Sequence, residues 1–156
     1  MSMPKQSVKN EMRLDFLGIP ENESFARVVI SAFAVQRNPT LTEIEDIKTA
    51  VSEAVTNAII HGYPGTIGMV RLAATLDEDG MLHIEVQDAG CGMADVARAR
   101  EPFYTSRPEM ERSGMGFTVM ESFMTTLEVV STPGRGTTVR MTKQLGLEPP
   151  PKDAAV

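Results

Sequence analysis

The chain has 156 residues, of which 42% are hydrophobic and 23% charged, and its 15 Lys and Arg against 21 Asp and Glu give a net charge of −6. This length suits one soluble domain with a proper core, and the acidity argues against a nucleic-acid backbone or an anionic membrane as a direct partner. A single cysteine, Cys91, excludes an internal disulfide framework and a cysteine-rich zinc site, and fits a cytoplasmic setting.

Residues 1–9 are polar, contain Pro4 and lack the apolar core of a signal peptide, so a flexible leader is expected there. No apolar run approaches the roughly 20 residues of a membrane span. Met12, Leu14 and Phe16 alternate with Arg13 and Asp15, which predicts a strand ending near Gly18. Pro20 suits the first turn of a helix, with Glu21 and Glu23 favourable near its positive end. Its spacing runs through Phe25, Val28, Val29, Ala32, Phe33 and Gln36, and Asn38-Pro39 stops it.

Thr40 or Thr42 caps a second helix; Thr42 with Glu45 has the capping-box spacing. Leu41, Ile44, Ile47, Val51, Ala54, Val55, Ala58 and Ile59 form its expected buried stripe, and Gly62 is the expected left-handed terminator. Val70, Leu72, Ala74 and Leu76, then Leu82, Ile84 and Val86 across an Asp79-Gly80 turn, predict a β-hairpin with one buried face. A short helix around Ala94–Arg100 precedes an irregular polar stretch from Glu101 to Ser113 that has the character of a lid. A helix from Gly116 to Phe123 follows, then strands near Leu127–Ser131 and Thr137–Lys143 joined by Pro133-Gly-Arg-Gly136. The proline-rich end, 145–156, is expected to be disordered. The sum is an α+β two-layer sandwich over residues 10–144, a mixed, mostly antiparallel sheet with helices on one face.

Three distant stretches carry chemistry that fits one Mg-nucleotide site. Glu53 and Asn57 stand one helical turn apart, with His61 a turn further. An Asn oxygen suits Mg²⁺, which keeps waters and phosphate oxygens as its other ligands, while a Glu beside it can accept a proton from an attacking hydroxyl. His61, next to Gly62, fits a helix-end cap or a packing role better than catalysis. Asp88 ends a strand and is followed by Gly90 and Gly92, which permit a sharp turn and the close approach of a planar ligand; a buried carboxylate there can accept from an exocyclic base amine. Gly114 and Gly116 open an apolar helix whose amides form an anion site, and Arg112 beside them can neutralise a terminal phosphate. Taken singly, each pattern is also that of an ordinary polar helix face, turn or cap. There is no Walker lysine motif, so a P-loop enzyme is excluded.

In order and spacing, Glu53-x-x-x-Asn57, Asp88-x-Gly-x-Gly92, Gly114-x-Gly116 and Gly136-Thr-Thr138 resemble the boxes of the GHKL ATPases. Within that superfamily Asn10–Arg27, Val51–Tyr63 and Glu111–Phe117 look like the anti-sigma-F branch of the serine-kinase anti-sigma factors of spore-forming bacteria, a resemblance over about residues 8–143. It implies a Bergerat-type ATP-binding sandwich working as a homodimer with ATP and Mg²⁺. By resemblance Asn57 holds the metal, Asp88 reads the adenine amine and Thr137 supports the adenine pocket together with Gly90 and Gly92. Arg112, Ser113, Gly114, Met115 and Gly116 hold the phosphates, Glu53 is the catalytic base and Arg27 docks protein partners. The implied partners are a sigma factor, sequestered by the chain, and an anti-anti-sigma protein phosphorylated on serine. The alternative is a detached histidine-kinase-type catalytic domain acting on a partner in trans. The leader, the tail after Lys143 and the glycine-rich Pro64–Gly68 loop depart from the family pattern.

Overall fold

A computed structural model describes residues 8–102 and 116–146. Its centre is a five-stranded sheet in the order β1-β2-β3-β5-β4, formed by β1 (Val8–Leu17), β2 (Met69–Asp77), β3 (Met81–Asp88), β4 (Thr126–Thr132) and β5 (Gly136–Gln144). All four pairings are antiparallel, so no parallel pair occurs among the described residues and the mixed character expected from sequence is not seen. Alternation produces the two faces. Phe16, Val70, Leu72, Ala74, Leu76, Leu82, Ile84, Val86, Val139 and Met141 are buried against the helices.

The opposite face carries charge, with cross-strand partners between β1 and β2 and across β3, β5 and β4. Asp15 pairs with Arg71 at 2.7 Å, Arg140 lies 3.6 Å from Glu85 and 3.9 Å from Glu128, and acid and base thus alternate from one edge strand to the other. The Arg71 guanidinium holds the Asp15 carboxyl below its ordinary range, although both groups are open to solvent and such pairs contribute little to stability.

Helix α1 (Pro20–Ala34) has Pro20 in its first turn and buries Ala26, Ile30, Phe33 and Ala34. A 3₁₀ turn at Val35–Arg37 follows, closed by Asn38 at φ 49°, so the stop expected at Asn38-Pro39 is built on a left-handed asparagine. Helix α2 (Leu41–Asn57) is capped by Thr40 rather than Thr42. The Glu43 N–H donates to Thr40 Oγ1 (3.0 Å) and the Thr40 N–H donates to Glu43 Oε1 (2.8 Å). Starting two residues earlier places Leu41 at the helix mouth, where it is 85% exposed instead of joining the buried stripe. Of the rest of that stripe, Ile47, Val51, Ala54, Val55 and Ala58 are buried, joined by Ala50, while Ile44 and Ile59 are only partly buried against the core.

Gly62 does not end the helix in a left-handed conformation. The chain passes from α2 into a π-helical turn, Ala58–Gly62, and Gly62 is absent from the glycines with positive φ. Two short helices complete the layer: α3 (Val96–Ala99), whose N-cap Asp95 accepts from the Arg98 N–H at 3.0 Å, and α4 (Gly116–Phe123). Both ends of the packed body reach past the boundaries drawn from sequence. β1 begins at Val8, and Leu145 is 2% exposed with its N–H donating to the Gly80 carbonyl at 3.0 Å.

Because the capping box satisfies two otherwise orphaned donors of α2, Thr40→Ala is expected to lower unfolding stability by about 1 kcal/mol. Urea denaturation checks this as a lower midpoint with an unchanged m-value.

Candidate nucleotide site

Between the helices and the sheet lies a cavity of about 400 Å³, lined by residues from both layers. Ala54, Asn57, Ala58, His61 and Gly62 come from α2 and its π-helical turn. Val86 and Asp88 come from β3, Thr137 and Val139 from β5, and Gly116 and Phe117 from α4. Small side chains on α2 keep that wall open, while Val86 and Val139 give an apolar floor suited to a flat ligand. The volume falls within the range of about 300–1,000 Å³ usual for small-molecule sites.

Asp88 is 7% exposed, and its position is fixed by backbone. The Gly90 N–H donates to its Oδ1 at 2.9 Å, and in register it sits opposite Thr137. Burial raises its pKa above the ordinary carboxylate value, while donation from the Gly90 and Thr137 backbone works against that rise. Glycines make the approach possible. A Cβ on Gly62 would stand 2.8 Å from the Asp88 carboxyl carbon, and one on Gly136 would stand 2.0 Å from the Asp88 carbonyl oxygen.

Gly90 and Gly92 have a reason that the sequence did not disclose. A Cβ on Gly90 would fall 1.9 Å from the Gly62 carbonyl oxygen, and one on Gly92, at φ 70°, would fall 2.2 Å from the Thr132 carbonyl. They admit neighbouring backbone rather than ligand, and of the two only Gly92 lines the cavity. Between them, Cys91 donates its N–H to Gly62 (2.9 Å) and its Sγ contacts the His61 carbonyl oxygen at 3.0 Å. His61 thus offers its carbonyl to this loop while its residue lines the cavity.

Glu53 and Asn57 converge on the start of α4. A Cβ on Gly116 would meet Glu53 Oε2 at 3.2 Å and Asn57 Nδ2 and Oδ1 at 3.3 and 3.4 Å. An acid, an amide and a backbone without side chain therefore share one small region beside the cavity. The expected phosphate-binding residues Arg112, Ser113, Gly114 and Met115 lie outside the described residues, as does most of the expected lid. Arg27 is set apart on α1, where it is only partly exposed. Its Nε lies 2.9 Å from Glu23 Oε1, and Glu23 also accepts from the Ser52 hydroxyl, so Arg27 is held to the α1–α2 surface.

Known proteins resemble the chain over this same span. A domain model for the histidine kinase-like ATPase domain matches residues 19–143. The anti-sigma F factor of Clostridium acetobutylicum is 56% identical over 140 residues, covering 90% of this chain and 97% of the relative. That of Bacillus subtilis is 51% identical over 139 residues, covering 88% and 94%. The chain belongs to the anti-sigma F factor family. Its fold is also that of the crystal structure of the RsbU and RsbW domains of a Mycobacterium tuberculosis protein, at a TM-score of 0.65 and 21% identity, over 88% of this chain and 33% of that one. A blue-light activated histidine kinase of Erythrobacter litoralis shares it at a TM-score of 0.53 and 22% identity, over 70% and 33%.

The ATPase domain implies that this member of the anti-sigma F factor family binds ATP, and the site fits such a ligand. It offers an apolar slot with a buried carboxylate at one wall and an amide at another. Among the described residues no three His, Cys, Asp or Glu side chains could hold a metal by themselves. A Mg²⁺ at Asn57 would thus depend on phosphate oxygens and water for its remaining ligands. No helix among the described residues is long and apolar enough to cross a membrane. The short helix expected around Ala94–Arg100 is found as α3, but nothing in the local sequence marks Met93, Ala94, Asp95, Arg98 and Ala99 as the rim of the cavity.

Burial penalises the charged form of Asp88, so the folded chain keeps that proton to higher pH than the unfolded chain, whose carboxyl titrates near 3.8. The unfolded state then binds fewer protons, and stability falls as pH rises above that value through the raised folded pKa. Asp88→Asn is accordingly expected to be at least as stable as the parent at pH 7, with its advantage shrinking toward pH 3. Urea unfolding across that range measures the difference.

Proposed function

We propose that the chain is an ATP-dependent serine kinase and sigma-factor antagonist that works as a cytoplasmic homodimer. With ATP bound it captures a sigma factor, and at the same site it phosphorylates a serine of an anti-anti-sigma protein. The observation that carries the kinase assignment is the convergence of Glu53 Oε2 and the Asn57 amide on Gly116. Phosphoryl transfer needs a group to take the hydroxyl proton next to the place where the terminal phosphate is held, and this corner supplies both.

In this assignment Asp88 accepts a hydrogen bond from the adenine amine, Thr137 and Gly92 line the pocket around it, and Gly90 lets the Gly62 backbone close behind it. Asn57 contributes an oxygen to Mg²⁺, whose chemistry when bound is to draw together and neutralise phosphate oxygens. Arg112, with the amides of Ser113, Gly114, Met115 and Gly116, holds the phosphates. The serine oxygen forms a bond to the terminal phosphorus as the bond to the bridging oxygen breaks; ADP leaves, and Glu53 takes the serine proton. Arg27 docks a protein partner. The names of the anti-sigma F relatives support the sigma-factor role. The exposed Leu17, Phe25 and Val28, on β1 and α1, support a surface that is covered in a dimer.

Glu53→Ala is expected to abolish phosphotransfer to the anti-anti-sigma protein while leaving ATP affinity within about threefold of the parent. Radiolabel transfer and calorimetric titration measure the two separately. Full activity in that variant would remove Glu53 as the base, and an acid-labile phosphoprotein would instead point to phosphohistidine. For Asp88→Asn the expected loss is in adenine-nucleotide affinity itself. A pull-down of sigma factor in ATP against ADP tests the antagonist role, with stronger capture expected in ATP.

A further inference from the structure

Lys143, near the end of β5, was assigned no role by any motif. Its ammonium donates to Asp46 Oδ2 on α2 at 3.1 Å and to the Phe123 carbonyl at the end of α4 at 2.5 Å. The pair is largely buried, with side-chain exposures of 15% for Lys143 and 22% for Asp46. A cation at the last carbonyl of a helix is favourable by charge and by hydrogen bonding, since that carbonyl has no partner within the helix.

The same two helices meet again at the nucleotide site, where Gly116 of α4 abuts Glu53 and Asn57 of α2. They therefore run antiparallel, with Gly116 beside Glu53 at one end and Phe123 and Asp46 on Lys143 at the other. Asp46 and Glu53 are separated by the same number of residues as Gly116 and Phe123, so both intervals are about 10 Å at 1.5 Å per residue. Between the two ends, Met120 of α4 and Ala50 and Ala54 of α2 are buried in the shared core. The apolar seam presses the two helices together, and the bonds from one ammonium to a carboxylate on α2 and to the end carbonyl of α4 add a directional constraint on their axial position.

We propose that Lys143 is a positioning residue of the nucleotide site: by tying Asp46 to Phe123 it sets the axial register of α4 against α2, and so holds Gly116 against Glu53 and Asn57. The proposal rests on the placement of Gly116, Glu53 and Asn57 at the phosphate end of the site. It acts on the phosphates and leaves the adenine end, built from Asp88 on the sheet, untouched.

The test compares ATP with AMP, which share the base and differ in the groups that reach α4. Lys143→Met keeps an unbranched stem but loses the donors. It is expected to weaken ATP binding about five- to tenfold while AMP affinity stays within about twofold, as read by isothermal titration calorimetry. Lys143→Arg, which retains the charge, is expected to recover most of the ATP affinity. Asp46→Asn, which leaves the ammonium on the Phe123 carbonyl, should shift the ATP-to-AMP ratio the same way by a smaller factor, and it carries the test if Lys143→Met does not fold. General loosening would weaken both nucleotides alike; an equal loss for ATP and AMP, or no loss, overturns the proposal. A parent chain that binds ATP but transfers no phosphate would remove the kinase assignment, and the nucleotide ratio would still decide the role of Lys143.

Discussion

The molecule turns on how closely three backbone segments crowd around Asp88. Gly62 ends the π-helical turn against its carboxyl group, Gly136 begins β5 against its carbonyl oxygen, and Gly90 in turn passes under Gly62. Any of the three with a side chain would place a carbon within about 3 Å of another heavy atom, a separation at which repulsion dominates. Helix layer and sheet therefore approach at this point to a distance set by main chain, and the cavity opens just beyond it. The carboxylate is buried because the segments close on it. Burial then makes it an effective acceptor and a costly group at neutral pH. A buried acceptor and a destabilising charge arise here from one contact.

The strands and helices of this chain announce themselves because each buries only one face. Two-residue alternation in β2 and β3 and the stripe Ile47–Val55 in α2 are properties of a few adjacent residues. The cap of α2 was harder to read, since Thr40/Glu43 and Thr42/Glu45 have identical spacing. The choice depends on where the preceding turn delivers the chain, and Leu41 changes from buried to exposed with it. Gly62 was misread for a related reason. A glycine after a helix usually supplies a left-handed residue, but here it supplies missing volume opposite Asp88, a partner 26 residues downstream.

The site was legible to a different degree. Glu53 and Asn57 stood out by their spacing of one helical turn, and Asp88 by ending a strand just before the glycines that mark a turn. That Asn57 and Asp88 line one cavity, with Glu53 beside it at Gly116, is a tertiary fact that only order and family resemblance anticipated. The short helix at Val96–Ala99 was expected close to its place, but nothing local marked Met93 to Ala99 as lining the cavity. That segment joins the cavity because the Cys91 loop is pinned to Gly62 and, through the Gly134 N–H donating to its carbonyl at 2.7 Å, to the β4–β5 turn.

The π-helical turn at Ala58–Gly62 also bears on which changes in length the chain can accept. An i→i+5 ring holds one residue more than an α-helical ring, and such turns often arise from a single inserted residue. Upstream, the Thr40 box fixes where α2 starts; downstream, Gly62 is fixed against Asp88. A segment anchored at both ends has no slack to share out. Adding or removing a residue between Asn57 and Gly62 with the winding unchanged would rotate Gly62 away from the carboxyl group and bring a side chain in its place. The count of residues in that turn is thus constrained more tightly than the identity of most of them.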